Sequence, residues 1–358
     1  MDWFTDLFGQ AQQALFEAVV QPLVFGMGFG NLLEDAFDAT GWLLVGLLQM
    51  AVMLVVIGSL QRWRPAEPVT DRRAIRVDVI YTLIQRLGLF RLVMFFTLEP
   101  AADAVTGQLR LWGIPTFQLD AVWPGVTDIA WVSFVLYLIA FDLLNYWLHR
   151  AQHQWHWWWS LHSLHHSQRQ MTMWSDSRNH LLDDLLIDCA VVLVARLIGV
   201  GPGQFVALVA LSQLLENLQH ANLRLSFGRF GERLLVSPRF HRLHHSIGIG
   251  HEGFGAGTLG GHNFAVLFPI WDVMFRTANF EDRWDPTGVR DQLPDEGNRE
   301  YGQGFWAQQW LGLRRLFGRD RAPHHTSHTG SAQKHHTAQV GPGPQVADTQ
   351  PLSTGGDD

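Results

Sequence analysis

The sequence is short of cysteine and of charge. Its single cysteine, Cys189, excludes a disulfide framework, a cysteine-type zinc site and an internal iron–sulfur centre. Charged residues make up 16% of the chain, against roughly 25% in an ordinary soluble domain. Residues 1–40 hold no lysine or arginine at all, so the start of the chain has no basic n-region, and with no A-x-A site either, no cleaved signal peptide is expected. The net charge of -7 offers no basic surface for nucleic acid, and that partner is set aside. A Rossmann fingerprint, its glycines set between a strand and a helix, is missing too, so no flavin unit is expected within the chain.

What is present is apolar, aromatic and rich in histidine, with 16 Trp, 23 Phe and 18 His. Residues 41–60, GWLLVGLLQMAVMLVVIGSL, are uncharged and long enough to span a bilayer as a helix. Residues 77–98 form a second span interrupted by Arg86 and Arg91, residues 99–126 read as loop, and residues 127–147 form a third span that runs into a histidine-rich segment. Two more apolar stretches, 181–200 and 204–220, are joined by Gly-Pro-Gly at 201–203 and predict a helical hairpin. Five arginines lie between residues 61 and 76, which places that loop in the cytoplasm by the positive-inside rule. The third span then returns the chain to the cytoplasm at His149, so the thirteen histidines up to His262 fall at one membrane face. From about residue 320 the chain turns polar and rich in Gly, Pro, Ser and Thr, and reads as a disordered tail; its five histidines (324, 325, 328, 335 and 336) are read as low-complexity composition.

The histidines form patterns. HRAQH supplies His149 and His153, HSLHH supplies His162, His165 and His166, and HRLHH supplies His241, His244 and His245. On a helix, positions four apart share a face, so His149 and His153 point together, as do His162 and His166. His165 reaches a neighbouring direction, which lets one segment serve two metal ions. Neutral imidazole suits Fe, Zn, Cu and Ni. Asp142 lies on the face of His149 and His153 and is expected to support them, since a ligating imidazole donates its other N–H to a carboxylate or carbonyl. Gln213, Glu216, Asn217 and His220 make a polar stripe on one arm of the hairpin, and His180, Asp184 and Asp188 make another. His220 and His180 join the candidate metal ligands, while Glu216 and Asp184 are expected to hold ligands in place. Trp155, Trp157, Trp158 and Trp159 follow a membrane helix and are expected at the lipid interface.

Together HRAQH, HSLHH and HRLHH resemble the three histidine boxes of the fatty acid hydroxylase / sterol desaturase superfamily, integral-membrane di-iron oxygenases. NLQHANLRL (217–225) is similar to that family's His-x-Asn segment, SPRFHRLHHS (237–246) to its third box and NFAVLFPIWDVMFRT (263–277) to its closing segment. The resemblance covers roughly residues 125–280. It departs at Ala265 and Arg276, where the family often has glycine, and in the long glycine-rich stretch after His245 that holds His251 and His262, read as local hydrogen-bonding residues.

The resemblance implies an all-α integral-membrane helical bundle with a cytoplasmic histidine-rich catalytic head. Its divisions would be residues 1–120 (N-terminal membrane region), 121–285 (catalytic domain), 286–319 (peripheral segment) and 320–358 (tail). It assigns His149, His153, His162, His165, His166, His241, His244 and His245 as catalytic metal ligands, with His220 as an additional one. It implies two iron ions, with zinc as a possible occupant of purified protein, O2, and electrons from a separate reductase or ferredoxin-type donor. The reaction would hydroxylate or desaturate a membrane lipid: a sterol, a carotenoid or a fatty acyl chain. The compartment would be a membrane crossed several times, with a bacterial inner membrane favoured. Three rivals are weighed beside it: a membrane metal-binding or transport protein, a zinc-dependent membrane hydrolase (HEGFG at 251–255 lacks the second histidine of H-E-x-x-H) and a bis-histidine haem protein.

Overall fold

Long apolar runs without internal breakers can satisfy their backbone only by coiling, and the computed structural model is helical accordingly. It describes residues 2–87, 89–114, 117–247 and 261–319. In chain order the α-helices are α1 (Asp2–Leu15), α2 (Gln21–Gly26), α3 (Leu33–Val52), α4 (Gly58–Trp63), α5 (Arg72–Arg86), α6 (Leu89–Leu111) and α7 (Ala130–Gln154). They continue with α8 (His156–His166), α9 (Leu181–Ile198), α10 (Pro202–His220), α11 (Gly228–Gly231), α12 (Pro238–His244), α13 (Ile270–Met274) and α14 (Phe305–Leu316). No β-strand occurs among the described residues; one isolated bridge joins Ser246 and Thr287. The tail's histidines and His251 lie outside the described residues.

The first expected span is longer than the hydropathy pattern suggested. Helical structure is continuous from Gly30 to Trp63, and this stretch and Ala130–Gln154 are each long and apolar enough to cross a membrane. Their outer faces carry bare hydrocarbon, with Val55 69% and Trp131 70% exposed; contiguous apolar surface of that kind is stable only against lipid or another apolar partner. Residues 77–98 are not one span. The chain folds them into α5, which ends at Arg86, and into α6, which continues through Pro100 to Leu111, so the front of the expected loop at 99–126 is helix.

The hairpin forms as the sequence predicts. Gly199 takes the left-handed conformation (φ +76) that ends α9, and Pro202 opens α10, the position where its missing N–H costs nothing. Against α7 the two arms build an apolar cluster around Tyr137, Phe141, Ala195 and Leu208. At the opposite end of these helices α8 packs on α7, and α12 packs on α10. The polar ends of α7, α8, α10 and α12 are therefore brought together.

Two elements escaped the sequence patterns. Helix α14 is inside out: Gln308, Gln309 and Arg315 are buried while Trp306 and Trp310 are 77% and 61% exposed. Its Gln309 side chain donates to the Tyr81 hydroxyl (3.0 Å) and accepts from the Leu181 amide (2.9 Å). The second element is the contact of α3 with α5. A Cβ on Gly46 would stand 1.9 Å from the Arg86 carbonyl oxygen, so Gly46→Ala must push the two helices apart. Overpacking of that kind costs about 3 kcal/mol or more; thermal unfolding of the purified variant should show it, and an unchanged midpoint would contradict the contact.

Candidate metal centre

Helix α7 carries His149 and His153 one turn apart, and α8 carries His162 and His166 in the same relation. These four imidazoles offer nitrogens that all lie within 4.8 Å of one another. A second group of the same tightness is made by His165 from α8, His220 from the end of α10, and His241 and His245 from the third box. His244 stands with His166 and His245 where the groups meet; its ring centre is 4.5 Å from that of His149 and 4.8 Å from that of His153. Helix α8 thus divides its histidines, two to one group and one to the other. Every one of these nine side chains is 9% exposed or less.

The nitrogens of the second group are closer than packing alone requires. His220 Nε2 lies 3.1 Å from His165 Nε2 and 2.9 Å from His241 Nε2, and His241 Nε2 lies 3.1 Å from His245 Nε2. Ligand nitrogens about 2.1 Å from a cation at right angles are separated by about 3.0 Å. Converging lone pairs at this spacing suit a shared cation better than one another.

Four of the outward nitrogens are held. His149 Nδ1 donates to the Phe264 carbonyl (2.9 Å), His220 Nδ1 to the Glu216 carbonyl (2.8 Å) and His244 Nδ1 to the His262 carbonyl (2.7 Å). His162 Nδ1 pairs with Asp183 Oδ2 at 3.1 Å, leaving its buried Nε2 with no hydrogen-bond partner. Each such bond fixes the tautomer that presents Nε2 inward. Burial, followed by the neighbouring imidazoles, holds His165, His241 and His244 well below the usual histidine range. They are neutral at pH 7, the form that binds a metal.

Asp183, not Asp142, is the carboxylate behind the first group. It accepts from Gln152 Nε2 (2.8 Å), Trp158 Nε1 (2.6 Å) and His162. Asp142 instead accepts from the amides of Leu267 and Phe268 and from Trp271 Nε1, at 2.7–3.0 Å, and so fastens the closing segment to α7. Asp176 stands behind the second group, 3.5 Å from His220 Nδ1, and also accepts from Arg86 and Asn217. His180 lies away from both groups. Its Nδ1 caps α9 through the Leu182 amide (3.1 Å), and its Nε2 meets the Gln309 carbonyl (2.8 Å). Glu216 reaches His220 through its backbone carbonyl, and Asp184 pairs with Gln85. His262 enters neither group; its part is the carbonyl behind His244. Trp158 and Trp159 turn inward, Trp158 to Asp183 and Trp159 to within 4.9 Å of the His153 ring, whereas Trp155 and Trp157 are 52% and 46% exposed.

Asp183→Asn keeps the shape but weakens the acceptor for three donors. Loss of such a support costs 10–100-fold in metal affinity. A competition titration with a chelator should show that loss, and unchanged affinity would remove Asp183 from the centre.

The closing segment explains one departure from the family pattern. Arg276 adopts φ +59, a left-handed conformation that favours glycine. The adjoining turn is held by Asp272, which accepts from the Phe264 and Ala265 amides and from Thr277 Oγ1. Burial pushes its carboxyl up to about 6.

A cavity of about 320 Å³ opens onto the histidines. His149, His162, His165, His220 and His241 line it at one end, and Leu138, Phe141 and Phe205 at the other. It has the form of a small-ligand cleft, apolar along its walls with polar chemistry at its base.

Comparison with known proteins agrees with the geometry. Residues 134–277 match the fatty acid hydroxylase family. The chain is 25% identical over 238 residues to ornithine lipid hydroxylase OlsE of Rhizobium tropici, spanning 66% of this chain and 67% of that protein. It is 26% identical over 181 residues to alkylglycerol monooxygenase of Caenorhabditis elegans, spanning 48% of this chain but only a third (33%) of that protein. No solved structure matches. All three histidine boxes, His220 and the closing segment lie inside the matched range, and the family match and both relatives support the fatty acid hydroxylase superfamily.

Proposed function

We propose that this protein is a membrane-embedded, O2-dependent lipid hydroxylase whose metal centre holds two iron ions. The observation that carries the reading is the pair of tight, buried, all-imidazole groups that share one helix and meet at His166, His244 and His245. His149, His153, His162 and His166 would hold one ion, and His165, His220, His241 and His245 the other, with His244 at the junction. The donor set fits: neutral nitrogens suit iron, and the carbonyl and carboxylate partners on Nδ1 orient the rings. Bound iron supplies activation of O2 with external electrons, chemistry that acids, bases and ordinary nucleophiles cannot direct at an unactivated C–H bond.

The chain's own residues do the rest. Asp183 and Asp176 hold His162 and His220 in place and supply negative charge behind two groups of neutral ligands. Phe141, Phe205 and Leu208 enclose the cavity in hydrocarbon, which excludes water from the reacting bond. The exposed apolar faces of Gly30–Trp63 and Ala130–Gln154 support entry of a lipid sideways from the bilayer. The arginines of 61–76 support a cytoplasmic histidine end, to which a separate reductase or ferredoxin-type protein would deliver electrons. Residues 121–285 act as the catalytic domain, 1–120 as its membrane region and 286–319 as a peripheral brace.

Hydroxylation is favoured over desaturation by the two relatives, a lipid hydroxylase and a monooxygenase. Purified protein should contain about two irons per chain with no haem Soret band, and with O2 and a reductant it should add one oxygen to a membrane lipid, a mass gain of sixteen. A lipid lighter by two mass units would identify a desaturase. Zinc alone, with esterase activity, would overturn the reading.

A further inference from the structure

Three of the helices that line the cavity, α7, α9 and α10, are layered in the same order. On α10, Glu216 lies about 6 Å from His220 along the axis and Phe205 about 22 Å. On α7, Asn145 lies about 6 Å from His149 and Phe141 about 12 Å. On α9, Asp184 stands at the histidine end, Asp188 follows, and Val191 lies about 10 Å beyond Asp184. All of these residues line the one cavity. From the histidine end, a polar belt followed by hydrocarbon is therefore the order met along each of these three helices.

The belt is unbalanced in charge. Five carboxylates line the cavity (Asp176, Asp183, Asp184, Asp188 and Glu216) against one guanidinium, that of Arg86. Arg86 is 4% exposed and spends its hydrogen bonds on Asp176, Asn217 and Gln213. Asp183 is taken by His162, Gln152 and Trp158. Asp184 accepts from the neutral amide of Gln85 at 2.6 Å. Glu216 is enclosed, faces the cavity and makes no side-chain hydrogen bond among the described residues. Carboxylates at membrane depth are costly without a cationic partner and mark ligand positions.

Resting on the hydroxylase reading, we infer that Asp184 and Glu216 form a subsite for the protonated amine of a lipid head group. An amine-bearing lipid enters with its chains in the Leu138–Phe141–Phe205 layer and its ammonium in the belt, keeping the orientation it has in the bilayer. The belt lies one helical turn from the histidines, so the carbon offered for oxidation belongs to the head group or its first linkage, not to the far end of an acyl chain.

The test compares two probes of equal chain length, a palmitoyl amide of ethylenediamine, which carries an ammonium, and palmitoyl ethanolamide, which carries a hydroxyl. Binding to the full chain in nanodiscs is measured with and without iron by native mass spectrometry. The expected result is at least tenfold tighter binding of the ammonium probe. In Glu216→Gln and Asp184→Asn that preference falls below threefold while iron per chain stays at the wild-type level. Either variant suffices should the other fail to accumulate. Equal binding of the two probes by the wild type, or a preference intact in both variants, overturns the subsite. Loss of iron in Glu216→Gln also overturns it, assigning the carboxylate to balancing the metals' charge. A wild-type chain that binds no iron defeats the hydroxylase reading instead, because the metal-free binding arm still reports on the belt.

Discussion

His241→Ala is expected to halve the bound iron and to abolish turnover. Its Nε2 is the middle of a chain of contacts, 2.9 Å from His220 and 3.1 Å from His245. Removing it takes one of four neutral donors from the second group and leaves the first group, His149, His153, His162 and His166, complete. The alanine has no substitute nearby, since the third box is buried and its other imidazoles are already committed. Iron should fall from about two to about one per chain. If O2 activation needs both ions, the rate should fall at least about 10³-fold, a barrier increase of roughly 4 kcal/mol. The fold itself should survive, because the shell around α12 rests on other groups. The Ser237 side chain caps the helix, and Arg239 is ion-paired with Glu232. Metal analysis beside a turnover assay decides the matter; two irons with ordinary turnover would show that His241 holds no metal.

Acid should act on the same groups. Burial keeps His165, His241 and His244 neutral, with pKa values lowered in the folded state. A histidine of this kind contributes stability that is full above its unfolded pKa and declines as the pH falls below about 6.5. Protons also compete with the metal for the same nitrogens. Iron retention measured after dialysis should therefore drop with acidification through that window, and retention that is flat with pH would argue against imidazole ligation.

The histidine boxes were legible because their chemistry lies in local spacing. Separations of three and four residues become shared helix faces, and α8 sorts His162 and His166 from His165 as that geometry requires. The hairpin was legible for a similar reason, since Gly199, Gly201 and Pro202 are local punctuation. What depended on how one helix is rotated against another was not. Asp183 and Asp184 are neighbours in sequence, and only the packing of α9 on α8 decides which of them meets His162. Asp142 has the right spacing to serve His149, yet the amides of Leu267 and Phe268, some 125 residues away, claim it. His180 sits in a polar stripe, but its position just before Leu181 makes it a helix cap; that signal was present and was outweighed by its neighbours. The inside-out helix α14 could not be read at all. Its buried Gln309 is explained by Tyr81, Asn179 and Leu181, which lie far from it in the chain.

The segment between α8 and α9 holds the two metal groups in register, and it hangs on one carboxylate. Asp78 of α5 is fully buried and accepts from Arg178 Nη1 at 2.8 Å, from Ser175 Oγ at 3.3 Å and from Gln168 Nε2. Arg178 in turn reaches the Leu164 carbonyl and Ser167 Oγ, both at 3.3 Å. One ion pair thereby ties α5, the end of α8 and the approach to α9 together. Asp78→Ala leaves a guanidinium buried without its anion, a loss of about 3–5 kcal/mol. Unfolding of the iron-loaded protein should show that fall, and iron should dissociate faster, because α8 carries ligands of both groups. Adding Arg178→Met removes the stranded charge, so the double variant should recover a large part of the stability while retaining the faster iron loss. A single variant within about 1 kcal/mol of the parent, the level of an exposed pair, would mean that water reaches Arg178 and that the register of the two histidine groups is set elsewhere.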